Sequence, residues 1–159
     1  MNSTYLLLGS NMGNSTELLS NAIEQIENKI GPLLLQSNLY ATAAWGYTSQ
    51  PNFLNQVIKV ATNLEAAKTL ETILSIEKKM GRIRTVKNAP RIIDIDILFF
   101  NNEIINQSDL IVPHPEIQNR RFVLTPLHEI APQMIHPVLN KTIEQLISQC
   151  PDQLAVKKI

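Results

Sequence analysis

Apolar side chains recur along the first hundred residues with two alternating periods. Residues 4–8 form a short apolar run closed by Gly9-Ser10-Asn11-Met12-Gly13-Asn14, which reads as a strand followed by a turn-rich loop. Leu18, Leu19, Ala22, Ile23, Ile26 and Ile30 then fall at helical spacing. Asn14 with Glu17 three residues on is a variant of the capping box, and Gly31-Pro32 is a stop signal. Residues 33–40 and 57–61 read as strands, separated by a polar and aromatic loop over 41–52 that carries Trp45, Tyr47 and Pro51. Leu70, Ile73, Leu74 and Met80 share one face of a second helix over about 65–80, with Gly81 as its C-terminal cap. Ile73 and Met80 bracket Glu77 on that inner face, so Glu77 is expected to point inward.

The next segment, Arg91-Ile92-Ile93-Asp94-Ile95-Asp96-Ile97-Leu98-Phe99-Phe100, carries the most information. As a strand, it puts Ile93, Ile95, Ile97 and Phe99 on one face and Ile92, Asp94, Asp96, Leu98 and Phe100 on the other. The two acids then lie one pleat apart, roughly 7 Å between Cα atoms, inside an apolar face. Like charges in partly buried surroundings repel each other and lose hydration, so a cation must offset them. A hard divalent metal with oxygen ligands does this most simply; pairing with nearby arginines for purely structural ends is the alternative. Asn101-Asn102 reads as a tight turn into residues 103–105, and the proline-rich tail carries short helices over 122–130 and 142–149. The order β-α-β-β-α-β predicts an α+β, ferredoxin-like core, an antiparallel sheet with helices packed on it, plus a C-terminal extension.

Composition narrows the class. A chain of 159 residues, 44% apolar and 18% charged, fits a single globular domain over 1–159. Its zero net charge argues against bulk attraction to nucleic acid or acidic membranes. The single cysteine, Cys150, leaves no intramolecular disulfide and fits a reducing compartment. The opening residues lack the flank and length of a signal peptide, and no apolar run approaches a membrane span, so the expected location is cytoplasmic. Against this neutral background, Lys78, Lys79, Arg82, Arg84, Lys87 and Arg91 place six of the fourteen basic residues in one segment without an acid. Lys78 and Lys79 fit a solvated helix end. The arginines, just before two aspartates, point to a polyphosphate held with Mg²⁺ under a closing lid.

The stretch Lys87-Asn88-Ala89-Pro90-Arg91-Ile92-Ile93-Asp94-Ile95-Asp96-Ile97-Leu98 resembles the signature of the 6-hydroxymethyl-7,8-dihydropterin pyrophosphokinases of folate biosynthesis. Leu8-Gly9-Ser10-Asn11-Met12-Gly13, Tyr40-Ala41-Thr42, Gln50-Pro51-Asn52-Phe53-Leu54-Asn55, Gly81-Arg82-Ile83-Arg84, Pro113-His114-Pro115 and Asn119-Arg120-Arg121-Phe122-Val123-Leu124 resemble further blocks of that family in the same order. The resemblance implies transfer of pyrophosphate from ATP to the pterin hydroxymethyl oxygen with release of AMP. It implies two Mg²⁺ ions on Asp94 and Asp96, with Arg82 and Arg91 stabilising charge in the reaction. Glu77, Arg84, His114 and Arg120 would serve the nucleotide. Phe53 and Phe122 would sandwich the flat pterin, Asn55 would read its amide edge, and Thr42 and Trp45 would complete its recognition. ATP and the pterin are the expected partners of a monomer, with no nucleic acid or membrane. Asn88-Ala89 replaces the family's usual aromatic-Gly pair, Ala43-Ala44 stands where proline is common, and Leu74 and Asp109 replace polar or basic nucleotide contacts. Two other classes compete. A nucleotidyltransferase also uses Gly-Ser with Asp-x-Asp, but Gly9-Ser10 lies over eighty residues before Asp94. An RNA-binding module would need aromatics where the aspartates stand and a basic surface.

Overall fold

The computed structural model describes residues 1–42, 52–82 and 92–159. Trp45, Arg84 and Arg91 lie outside the described residues. The predicted order is present: β1 (Asn2–Ser10), α1 (Ser15–Lys29), β2 (Leu33–Gln36), β3 (Tyr40–Thr42), β4 (Phe53–Thr62), α2 (Ala66–Lys79) and β5 (Asp94–Phe100). Among the described residues all pairings are antiparallel, and β1 lies between β4 and β5, as the ferredoxin-like topology requires.

Local chemistry sets the boundaries. Asn14 Oδ1 accepts the Glu17 N–H at 3.2 Å and starts α1, which buries Leu19, Ala22, Ile23 and Ile26. Beyond Met80, the C-cap of α2, Gly81 takes φ +92°, a left-handed turn that glycine enters without strain. The expected strand over 33–40 is split in two. The Ser37 N–H still donates to Val57 O at 2.9 Å, but Ser37 Oγ accepts the Val57 N–H at 3.0 Å and the Ser37 carbonyl accepts from Gln56 Nε2 at 2.8 Å, so side chains replace part of the ladder there. The strand expected at 57–61 runs longer, because Leu54 and Asn55 pair with both β1 and β3 and Phe53 pairs with β3. The tail supplies β6 (Ile105–Asn106), β7 (Ile111–Val112), a 3₁₀ turn (Ile117–Asn119), α3 (Arg121–Ile130), α4 (Ile143–Ser148) and β8 (Val156–Lys158). Strand β8, which the sequence pattern leaves unassigned, extends the sheet beside β3.

The sheet separates two cores. On one face Leu6, Leu8, Ile58, Val60, Ile95 and Ile97 pack with Leu19, Ile26, Ile73 and Ile76 of α1 and α2. On the other Tyr5, Leu7, Val57, Leu98 and Phe99 pack with Val123, Leu124 and Leu127 of α3 and Ile143 and Leu146 of α4. This corrects one expectation. Phe99 was expected beside Ile97, and Phe100 beside Asp96. Tyr5 instead pairs with Phe99 and Leu6 with Ile97, leaving Leu98 as an extra residue. That β-bulge turns Phe99 onto the α3 side and Phe100 onto the α1 side.

Candidate active site

Cross-strand register assembles one row of side chains. Asp94 lies opposite Gly9, Gly9 opposite Asn55, and Asn55 opposite Tyr40. One pleat away Asp96 lies opposite Leu7 and Leu7 opposite Val57, while Thr42 lies opposite Phe53 at the start of β4. Opposed residues share a face, and Leu7 and Val57 belong to the α3/α4 core. Both acids, Asn55, Phe53 and Thr42 therefore stand on that same side of the sheet.

A charge cluster sits at the β5 end. Arg82 Nη1 lies 2.6 Å from Glu77 Oε2 and 2.6 Å from Asp94 Oδ1, with only 12% of its side chain exposed. Glu77 is 3% exposed, pointing inward as its helical position predicts. Its Oε2 also accepts the backbone N–H of Ile95 at 2.8 Å, so it grips the strand between the two acids. Burial pushes the Glu77 carboxyl up, against the pull of the Ile95 N–H and Arg82. Burial opposes the charge on Arg82, but Asp94 and Glu77 outweigh it and raise its pKa. Asp96 is pushed up to about 7 by burial, then by the Asp94 and Glu77 charges, with Arg82 and Arg120 opposing. His114 is held low by burial and by the Arg120 cation. Its Nδ1 accepts the Glu116 N–H at 3.1 Å, and the His114 backbone N–H donates to Leu98 O at 3.0 Å. Glu77, Arg82, Asp94, Asp96, His114 and Arg120 are thus brought together.

The acids fit a hard cation. They offer oxygen donors on one face, and the Asp96 anion is unfavourable until a positive charge joins it. Among the described residues no group of three or more His, Cys, Asp or Glu side chains could hold a metal. Two carboxylates suit an ion that takes its remaining oxygens from phosphate and water.

The β4 end is of a different kind. Asn55 is 5% exposed; its Nδ2 donates to Leu8 O at 3.3 Å, and its Oδ1 is buried without a partner. An orphaned buried acceptor costs about 1–3 kcal/mol, which a ligand N–H could recover. Phe53 is half-buried on the same strand, and Phe122 is half-buried in the first turn of α3. The Arg120 guanidinium lies 5.8 Å from the centre of the Phe122 ring, a cation–π distance that links the two ends. Thr42 is buried, its hydroxyl donating to Ala155 O at 3.3 Å. Gly9, read from the sequence as the start of the turn and given no role, instead lies within β1, which runs to Ser10, and separates the acids from Asn55.

An antiparallel α+β sheet with half-buried acids, an arginine bridge and an amide whose oxygen is unpaired defines a ferredoxin-like protein with a composite polar site. Residues 5–132 match the family described as 7,8-dihydro-6-hydroxymethylpterin-pyrophosphokinase (HPPK), and the chain belongs to that family. It is 41% identical over 145 residues to the 2-amino-4-hydroxy-6-hydroxymethyldihydropteridine pyrophosphokinase of Aquifex aeolicus, covering 91% of this chain and 90% of that relative. It is 39% identical over 153 residues to the folic acid synthesis protein FOL1 of Dictyostelium discoideum, covering 95% of this chain. The chain spans 23% of the length of that protein and 20% of the corresponding protein of Pneumocystis carinii. Its fold superimposes on the wild-type HPPK-DHPS of Plasmodium falciparum with a TM-score of 0.78 at 20% identity, covering 93% of this chain and 44% of that one. Among the described residues no helix is long and apolar enough to cross a membrane.

Proposed function

We propose that this chain transfers pyrophosphate from ATP to 6-hydroxymethyl-7,8-dihydropterin, releasing AMP, as one pyrophosphokinase domain over residues 1–159. Family membership supports this reaction over nucleotidyl transfer or RNA binding. The observation that carries it is the row Asp94–Gly9–Asn55, which sets an anionic end and an unpaired acceptor on one sheet face. The hydroxymethyl oxygen attacks the β-phosphorus of ATP, the bond from that phosphorus to the α-phosphate oxygen breaks, and the hydroxyl proton is lost. The protein's task is to align the two reactants and to balance charge.

Asp94 and Asp96 would hold two Mg²⁺ ions, which supply charge neutralisation along the triphosphate. Arg82, held between Glu77 and Asp94, is positioned to exchange a carboxylate for phosphate oxygens, and Arg91 is assigned the same charge-stabilising role. Arg84, Arg120, His114 and Glu77 serve the nucleotide. Phe53 and Phe122 stack on the pterin, Asn55 binds its amide edge, and Thr42 and Trp45 close that side. The enzyme is proposed to act as a cytoplasmic monomer on ATP and the pterin, without nucleic acid or membrane; zero net charge supports the last two points.

The test is to incubate the protein with ATP, Mg²⁺ and 6-hydroxymethyl-7,8-dihydropterin and to separate the nucleotides. AMP and the pterin diphosphate should accumulate in equal amounts. ADP in place of AMP, or pyrophosphate release, would overturn the assignment.

A further inference from the structure

Gly9 occupies the centre of the row, with Asn55 on one side and Asp94 on the other. A Cβ on Gly9 would lie 2.7 Å from Asn55 Nδ2 and 3.8 Å from Leu54 O. The first distance is closer than side-chain carbons come, so any other residue here must displace the amide. Because the obstructing atom is the end of a side chain, the amide can move while the strand stays. Gly31 is the contrasting case: its Cβ would fall 1.8 Å from Ala61 O, a backbone atom that cannot step aside.

The amide that Gly9 admits has a defined polarity. Nδ2 is tied to Leu8 O in the same strand as Gly9, and this tether leaves Oδ1 buried and unpaired. We propose that Gly9 is a specificity-determining positioning residue: by lacking a Cβ it lets the Asn55 amide lie across β1, its nitrogen anchored on Leu8 and its oxygen offered to a ligand N–H. The ligand class is a flat heterocycle with an amide-like N–H edge, so this inference rests on the pterin reading above. Gly9 acts through Asn55, without touching the reacting atoms.

A double-mutant cycle tests it. Dissociation constants for 6-hydroxymethyl-7,8-dihydropterin, with Mg²⁺ and α,β-methylene ATP present, are measured for the parent protein, Gly9→Ala, Asn55→Ala and the double variant. Gly9→Ala should weaken pterin binding about tenfold and change affinity for the nucleotide analogue less than about twofold. On the Asn55→Ala background the same substitution should cost less than about twofold. An equal cost on both backgrounds overturns the proposal. If Gly9→Ala does not fold, the double variant should fold, since its obstacle is gone; an unfolded double variant also overturns the proposal. The side-chain ¹H–¹⁵N signals of Asn55, recorded without pterin, separate the two readings. If the parent protein binds no pterin, the proposed function fails, but a shift of those signals in Gly9→Ala still supports the positioning role. Unmoved signals sink it.

Discussion

The two faces of the sheet are made from the same strands and behave as different materials. Towards α1 and α2, the residues Leu6, Leu8, Ile58, Val60, Ile95 and Ile97 make an apolar layer, with buried Gln56 at its edge. Towards α3 and α4, an apolar half under Leu7, Val57, Leu98 and Phe99 gives way to Asp94, Asp96, Asn55 and Thr42. Alternation along a strand lets Ile95 anchor the fold while Asp94 and Asp96, its neighbours, face the other way. The lesson is a division of labour by parity: burial on one face stabilises a frame that can tolerate disfavoured charge on the other.

The sharpest break of that comparison is on the polar face. Asp94→Ala or Asp96→Ala should cut AMP formation by about a thousandfold or more while the protein still unfolds cooperatively. Near-normal turnover in either would remove the acids from the chemistry. Ile58→Ala on the opposite face should do the reverse. Denaturant titration should register a loss of about 2–5 kcal/mol, and kcat per folded molecule should stay as before. Phe122→Ala belongs at the border; calorimetry should find pterin binding weakened about tenfold and nucleotide binding changed less than about twofold.

The smallest effect concerns pH. The carboxyl of Asp96 rises from an ordinary 3.8 to about 7 in the folded chain, so folding favours its protonated form. Its contribution to stability is complete below about 4 and is lost as pH rises through about 7. Asp96→Asn, neutral throughout, should therefore melt a few degrees above the parent ligand-free protein at pH 8 and level with it near pH 4. A parent protein that melts higher at pH 8 would show that the acid is not disfavoured there.

Much of this division was legible in the chain. The Asn14 cap and the spacing of Leu19, Ile23 and Ile26 define α1, and the paired aspartates among isoleucines mark both strand and site. Glu77 could be placed inward from its helical neighbours alone. What escaped depends on partners rather than on local pattern. The bulge at Leu98 arises from how β5 meets β1, so strict alternation mis-set Phe99 and Phe100. Strand β8 is short, with exposed Lys157 and Lys158, and gains its structure only by lying beside β3. The closeness of Gly9 to Asn55 exists only once register is known. The expectations for Trp45, Arg84 and Arg91 fall outside the described residues.

The extra residue at Leu98 carries an evolutionary implication. It lies between the acids and the aromatic end of β5, and it absorbs a one-residue change of phase. Downstream aromatic positions can therefore drift in spacing, or be rebuilt against a different tail, without rotating Asp94 and Asp96 away from their partners. A one-residue insertion ahead of β5 leaves Asp94 and Asp96 on one side of the sheet, but one between them would send the pair to opposite sides. Length variation among homologues should accordingly collect on either side of the Asp-Ile-Asp triplet and spare its interior.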